Sequence, residues 1–283
     1  MVARAPNHLG DGVMALPAMR ALASLGTLEI RGPRWAPVLY RGVADAIRPP
    51  GWLDANTDVA VLFPPSLRAA LEARRARRRI GTPTDFRRLL LTDVVHPRVH
   101  RGATFAALAA AAGAQPEGDP VFLPAAGTEP VAVPDGHIGL NPIVGGRSVR
   151  QWGGFSALAA ALPGPLVFYG GPGEDAEVAA VGGAHPRCVG LSLDRFAVAL
   201  RSCAVFVSND SGAAHFARAC GVPTVVVHGP TAPEGTGPAG AFSVSGPQVP
   251  CGPCYRDRCR HGVVCLPVGV DRVAAAVRER LDG

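Results

Sequence analysis

The 283-residue sequence contains no lysine, so all 28 of its basic side chains are arginine. Lysine-free usage rich in Ala, Gly, Pro and Arg is most simply a composition bias. The net charge of +6 therefore does not by itself point to a nucleic-acid partner. Charged residues make up only 18%, against 48% apolar, which is low charge but enough apolar material for real cores and no sign of disorder. No stretch approaches the roughly 18 continuous apolar residues that a membrane span requires. The opening "MVARAPNHLGDG" has no apolar signal-peptide core, so a soluble cytoplasmic chain is expected. Short-period repeats are also missing. The 35 glycines and 28 prolines predict many short connections.

What is present is alternation. The second half reads strand (137–144), helix (155–162), strand (164–171), helix (174–181), helix (195–203), strand (204–210), helix (212–220), strand (224–229). Short Val-rich runs separated by helices predict a parallel sheet covered on both faces, with ligands beyond the carboxyl ends of its strands. The first half is similar but noisier. It offers a helix at 12–26, strands at 28–32 and 59–65, a helix at 66–77 and another at 103–113 closed by Gly113. The opening strand is brief, three residues before Arg4. A Pro/Gly-rich passage near 115–136 reads as a linker. The expected class is α/β: two Rossmann-like domains over 1–130 and 131–268, their parallel sheets facing across a cleft, with a closing helix in 269–283.

"VFVSNDSGAAHFARACGVPTVVVHGP" (205–230) is the most informative stretch. A buried strand hands over to a helix through Asp210-Ser211-Gly212 with no intervening loop. The amide groups of a helix N-terminus at a strand's carboxyl end suit an anion. Ser211 could cap the helix or donate its hydroxyl, and Gly212 would admit a bulky anion to the backbone. Asp210 would repel phosphate but could accept from neighbouring sugar hydroxyls. A sugar joined to phosphates fits this set, and an ordinary capped turn fits it about as well. His215, one turn on, suits a packed core position or a ligand contact.

The extended segment "NDSGAAHFARACGVPTVVVHGPTAP" resembles the signature of glycosyltransferase family 9, the ADP-heptose:lipopolysaccharide heptosyltransferases and relatives. Its Asp210-Ser211-Gly212, His215, Gly221-Val222-Pro223 and Gly229-Pro230-Thr231-Ala232-Pro233 match in order. "NHLGDGVMALPAMRAL" (7–22), "RIGTPTDFRRLLLTDVV" (79–95), "NPIVGGRSVRQW" (141–152) and "YGGPGED" (169–175) resemble further family segments, so the likeness runs over nearly the whole chain. Ile143-Val144 stand where Gly-Ala is usual, and Arg150-Gln151 where Lys-Arg is common.

The resemblance implies a GT-B fold and a glycosyltransferase that moves a heptose-like sugar from a nucleotide-diphosphate donor, an ADP-sugar by preference. The acceptor would be a glycolipid or glycan hydroxyl, with peripheral contact at the inner membrane face and no nucleic acid. It makes Asp11, between Gly10 and Gly12, the catalytic carboxylate, and gives Arg150, Asp210, Ser211, Gly212, His215 and Thr231 to the donor. A general base takes the acceptor proton, and Arg150 with the Ser211 and Gly212 amides meets the charge of the leaving diphosphate. No Asp-x-Asp ends a strand and no carboxylate nucleophile is evident. Metal-independent, inverting transfer is therefore expected, with no cofactor required. The alternatives are a nucleotide-sugar-binding protein without transferase activity, and a nucleotide-sugar epimerase or hydrolase. The closing helix, by the same resemblance, would pack back on the first domain.

Two clusters remain. Cys251, Cys254, Cys259 and Cys265 are spaced C-x2-C-x4-C-x5-C with His261 among them. They suit structural zinc, free thiols or, less well in a reducing compartment, disulfides, while the spacing is not a standard iron–sulfur one. Between Arg68 and Arg88 lie eight arginines against Glu72 and Asp85, which reads either as a solvated helix face or as an acceptor- or membrane-facing patch.

Overall fold

The computed structural model describes residues 1–146 and 148–282. The chain divides into two compact units, Met1–Pro120 and Val121 onward. In the first, the chain runs β1 (Val2–Arg4), α1 (Leu9–Met14), α2 (Leu16–Ala23), β2 (Glu29–Arg31), α3 (Ala36–Leu39) and β3 (Ala46–Arg48). It continues with β4 (Val59–Leu62), α4 (Leu67–Glu72), β5 (Arg78–Gly81), a 3-10 turn (Arg87–Leu90), β6 (Asp93–Val94) and α5 (Arg101–Ala111). All six strands are parallel, in the order β3-β2-β1-β4-β5-β6. The brief β1 is therefore central, and its three residues are buried.

The second unit repeats the plan. It contains β7 (His137–Asn141), a 3-10 turn (Ser148–Arg150), α6 (Phe155–Ala161), β8 (Leu166–Gly170), α7 (Asp175–Gly182), β9 (Arg187–Val189) and α8 (Leu193–Arg201). Then follow β10 (Cys203–Asn209), α9 (Gly212–Ala219), β11 (Thr224–His228), α10 (Pro233–Thr236), β12 (Phe242–Ser245) and α11 (Val270–Leu281). Its parallel order is β12-β11-β10-β7-β8-β9. In both sheets the chain builds outward on one side, returns to the middle and builds out the other. That reversal lies between β1 and β4, and again between β7 and β10. A crevice opens outside the strand ends at such a reversal, which is where α/β sheets bind ligands.

Several expectations change. The division falls at Pro120/Val121 instead of 130/131, because the polar passage after it is claimed by the second unit. Phe122 packs on Phe216, with ring centroids 4.8 Å apart, and its N–H donates to the Ala219 carbonyl at 2.8 Å. The closing helix α11 belongs to the second unit. Val273, Ala274, Ala276 and Val277 enter the second unit's core beside α6, β10 and β11, and Arg278 donates to the Ala161 carbonyl at 2.9 Å. Burial of that apolar stripe is the stronger claim on the helix.

The arginine run is not one helix face. Helix α4, capped by Ser66 at the Ala69 N–H, stops at Glu72, and Arg78 and Arg79 open a strand. Arg68 pairs with Glu72, which also accepts from the buried Arg4, and Arg78 pairs with Asp93. Arg74 lies over the Trp52 ring at 4.5 Å. Arg87 is completely buried and held by carbonyl and hydroxyl oxygens, which keep it cationic although burial pulls its pKa down to about 10. Arg68, Arg78 and Arg87 are thus spent on structure, while Arg74, Arg75, Arg77 and Arg88 remain exposed.

Two buried histidines of the second unit make stability depend on pH. The Nδ1–H of His137 donates to the Pro134 carbonyl and its Nε2 accepts from the Tyr169 hydroxyl, both at 2.7 Å. Buried His228 lies between Thr231 and Ser243. Burial lowers both imidazoles below their ordinary value, partly offset at His228 by Asp210 and Glu234. The unfolded chain then binds protons that the folded chain resists. Their stabilising contribution is complete above about pH 6.5 and is lost as pH falls through that value. The melting temperature should be level from pH 8 to 7 and fall below about 6.5, and His137→Gln should flatten that slope. An equal slope in the variant would remove His137 from the effect.

Candidate active site

In the second unit the functional residues gather where β7 and β10 end side by side. The Asn209 side chain ties the two ends together. Its amide donates to the Pro142 carbonyl at 2.8 Å, and its oxygen accepts the Trp152 N–H at 2.8 Å. The Trp152 indole N–H reaches the Val268 carbonyl at 2.9 Å. Asn141 donates to the Tyr169 carbonyl at 2.9 Å and accepts from Ser208 at 3.2 Å. These buried polar groups are mutually satisfied, so the rim they support is rigid.

On that rim the strand-to-helix handover is as abrupt as its sequence predicts. Ser211 is the N-cap of α9 in extended conformation, but its side chain does not cap the helix. Its hydroxyl instead lies 2.9 Å from that of Ser208, which leaves the first amides of α9 without a side-chain acceptor. Asp210 is buried, and accepts from the Thr236 hydroxyl at 3.2 Å. Arg150 reaches across from the turn before α6, with Nη1 3.9 Å from Asp210 Oδ2 and Nη2 3.9 Å from Asp257 Oδ1. Its Nε is buried without a hydrogen-bond partner. The structure thus brings Arg150, Asp210, Ser211 and Gly212 together. His215 is buried on α9, and Thr231 is buried with its hydroxyl 3.5 Å from His228 Nδ1.

The cysteine-rich segment folds over the ends of β11 and β12. The Cys254 and Tyr255 N–H groups both donate to the Pro230 carbonyl at 3.0 Å. Gly229, Gly235 and Gly246 have no room for a Cβ, against Leu266, the Tyr255 hydroxyl and the Cys265 carbonyl respectively. This packing carries Asp257 to Arg150, a partner that no sequence motif signals. All four thiols are free, Cys259 Sγ accepts the His261 and Val263 N–H groups at 3.3 Å each, and Cys265 is buried. Burial raises the Cys265 thiol, and the neighbouring Cys254, Cys259 and Cys251 raise it further. Among the described residues no three Cys, His, Asp or Glu side chains converge as a metal-ligand set.

In the first unit Asp11 sits in α1, which follows the central strand β1 at that sheet's own reversal. Gly12 lets the Trp35 ring lie against the helix, where a Cβ would collide with it, and buried Tyr40 donates to the Gly12 carbonyl at 3.0 Å. Burial, with the Asp11 carboxylate nearby, keeps the Tyr40 phenol well above its ordinary pKa and protonated. Both oxygens of Asp11 accept from Arg101 Nη1 at 2.9 Å. Arg101, at the start of α5, is ninety residues away in sequence and carries no motif, so sequence reasoning missed it.

Two parallel sheets, each with a crevice at its reversal and an ionisable cluster there, define the GT-B class of α/β architecture. Residues 150–265 match the model of glycosyltransferase family 9 (heptosyltransferase), and this stretch holds every donor-side candidate and all four clustered cysteines. No curated protein sequence matches the chain. Among solved structures, the chain is similar to E. coli ADP-heptose LPS heptosyltransferase II, with 20% identity, TM-score 0.77, and 99% of this chain and 98% of that one covered. It is similar to the family 9 glycosyl transferase from Veillonella parvula, with 18% identity, TM-score 0.74, and 99% and 96% coverage. E. coli heptosyltransferase WaaC with ADP-2-deoxy-2-fluoro heptose gives 16% identity, TM-score 0.70, and 100% and 99% coverage. At these identities the likeness establishes a shared fold. No helix among the described residues is long and apolar enough to cross a membrane.

Proposed function

We propose that the protein is a glycosyltransferase that moves a heptose-like sugar from an ADP-sugar to a glycolipid or glycan hydroxyl by single, inverting, metal-independent displacement. The observation that supports this best is Arg150 beside buried Asp210, next to the helix start that Ser211 leaves uncapped, inside the matched family stretch. The guanidinium and amides would receive the charge that develops on the diphosphate, as fixed donors aimed at a leaving group do. Asp210, already accepting from Thr236, would take a sugar or ribose hydroxyl, and Thr231 would line the same rim. Asp11 would act as the base that deprotonates the acceptor, with Arg101 fixing its orientation. The acceptor side would work at the cytoplasmic membrane surface.

No metal is assigned to the reaction itself. We propose structural zinc for Cys251, Cys254, Cys259 and Cys265, supported by their close spacing in the sequence and by the two N–H groups directed at Cys259 Sγ, which suit a metal-bound sulfur. TibC, a structurally similar heptosyltransferase from E. coli, is described as iron-containing, which makes iron the competing occupant. The test is a thermal-shift panel of nucleotide sugars with turnover measured in EDTA, on protein analysed for zinc and iron. An ADP-sugar should raise the melting temperature, nucleoside diphosphate should appear on adding acceptor despite chelation, and zinc should be near one equivalent. A panel without any shift removes the donor site, turnover abolished by EDTA in protein that keeps its zinc and its melting temperature removes metal independence, and protein free of zinc removes the structural metal.

A further inference from the structure

The connection after β5 carries a feature to which the reading above gives no role. Asp85 and Phe86 are consecutive residues at left-handed φ, 54° and 57°, a conformation that bulky side chains avoid. The Asp85 carboxylate accepts the Leu67 N–H at 2.8 Å. Arg87 follows, and its buried guanidinium donates to Thr82 O at 2.8 Å, Thr82 Oγ1 at 2.9 Å, Pro64 O at 2.6 Å and Ser66 O at 3.2 Å. Around this anchor Phe86 is 98% exposed and Leu89 94% exposed, more than any other large apolar side chain among the described residues, with exposed Arg88 between them. A strained backbone and a buried cation thus hold two large apolar groups outward on one short turn.

Charge divides in the same direction. The first unit has sixteen arginines against ten Asp and Glu, while the second has twelve against twelve. The whole positive excess lies in the unit that carries the apolar turn. Arg74, Arg75, Arg77 and Arg88 are all exposed there, Arg77 paired with Asp58 and Arg74 lying over Trp52. A bilayer surface bearing anionic lipid holds a protein durably when an apolar insertion and a basic surface act together, where either alone is marginal.

We propose that the turn 86–89 is a membrane wedge: Phe86 and Leu89 enter the interface of an anionic bilayer, and the arginines of the first unit supply the attraction. The proposal gives the membrane contact of the enzyme read above a definite element, and it rests on that reading only for its purpose, since its test needs no turnover. The full chain is sedimented with vesicles of phosphatidylcholine containing about a third phosphatidylglycerol, and with phosphatidylcholine alone. Wild type should sediment with the anionic vesicles at low salt and dissociate as salt rises. The double variant Phe86→Asn, Leu89→Gln should bind roughly tenfold to a hundredfold more weakly. Asn tolerates the left-handed position, so the melting temperature and any donor-induced shift should be unchanged. In Phe86→Trp, emission should move to shorter wavelength on adding anionic vesicles. Wild type that stays in the supernatant, or a double variant that sediments equally, overturns the wedge. So does a double variant that turns a wild-type dimer into a monomer, which would make the turn a contact between copies. A failed donor panel with intact vesicle binding would sink the transferase reading and leave the wedge standing.

Discussion

Asp11→Asn should abolish turnover, by about a hundredfold to ten-thousandfold in kcat, while donor binding stays at the wild-type level. The range is that of a positioned general base. Asn keeps the size of the side chain and an oxygen that can still accept from Arg101, so helix α1, against which Trp35 and Tyr40 pack, keeps its shape. The change removes only the ability to take a proton. The Arg101–Asp11 pair is partly open to solvent, with 46% and 16% of the side chains exposed, so weakening it should cost no more than about 1 kcal/mol. A small loss of stability with a large loss of rate is the signature of a chemical role. Turnover within threefold of wild type would place the base elsewhere, and an Asp11→Asn protein that also failed to bind donor would assign Asp11 a structural part.

Arg150→Gln should weaken donor binding about tenfold to a hundredfold. A hydrogen bond to a charged group contributes about 1.5–3 kcal/mol, and here a second penalty adds to it. With the guanidinium gone, the carboxylates of Asp210 and Asp257 lose their cation and repel the incoming diphosphate. Arg150→Lys should recover part of the loss, because charge is retained while the planar fork that reaches both Asp210 and Asp257 is not. The expected readout is the Kd for an ADP-sugar, with glutamine weakest and lysine between. A glutamine variant with the wild-type Kd would leave Arg150 as a brace between two acids and remove it from the donor site.

Much of this molecule was readable before folding. The Val-rich alternation of the second half announced a covered parallel sheet, since strands buried on both faces need continuous apolar runs. Asp210-Ser211-Gly212 announced the strand-to-helix handover, and the resemblance carried Asp11. The first half was harder for a local reason. Its strands hold two to four residues and begin with arginine at β5, so no window of sequence separates Arg78-Arg79 from the helix before them. The pairing with β4 that makes those residues a strand, and the Asp93 that meets Arg78, both lie far enough along the chain to be invisible to periodicity.

The sequence by itself determined the class of sheet, the abrupt strand-to-helix turn at 210–212, and the set of four thiols, because each rests on residues adjacent in the chain. Tertiary structure alone decided who stands beside them: Arg101 at Asp11, Asp257 at Arg150, Arg87 in the interior and Phe86 outside it. It also gave the closing helix to the second unit. Those outcomes turn on which charges can be paired and which apolar stripes can be buried. Both are settled by distance in space, which the order of residues does not record.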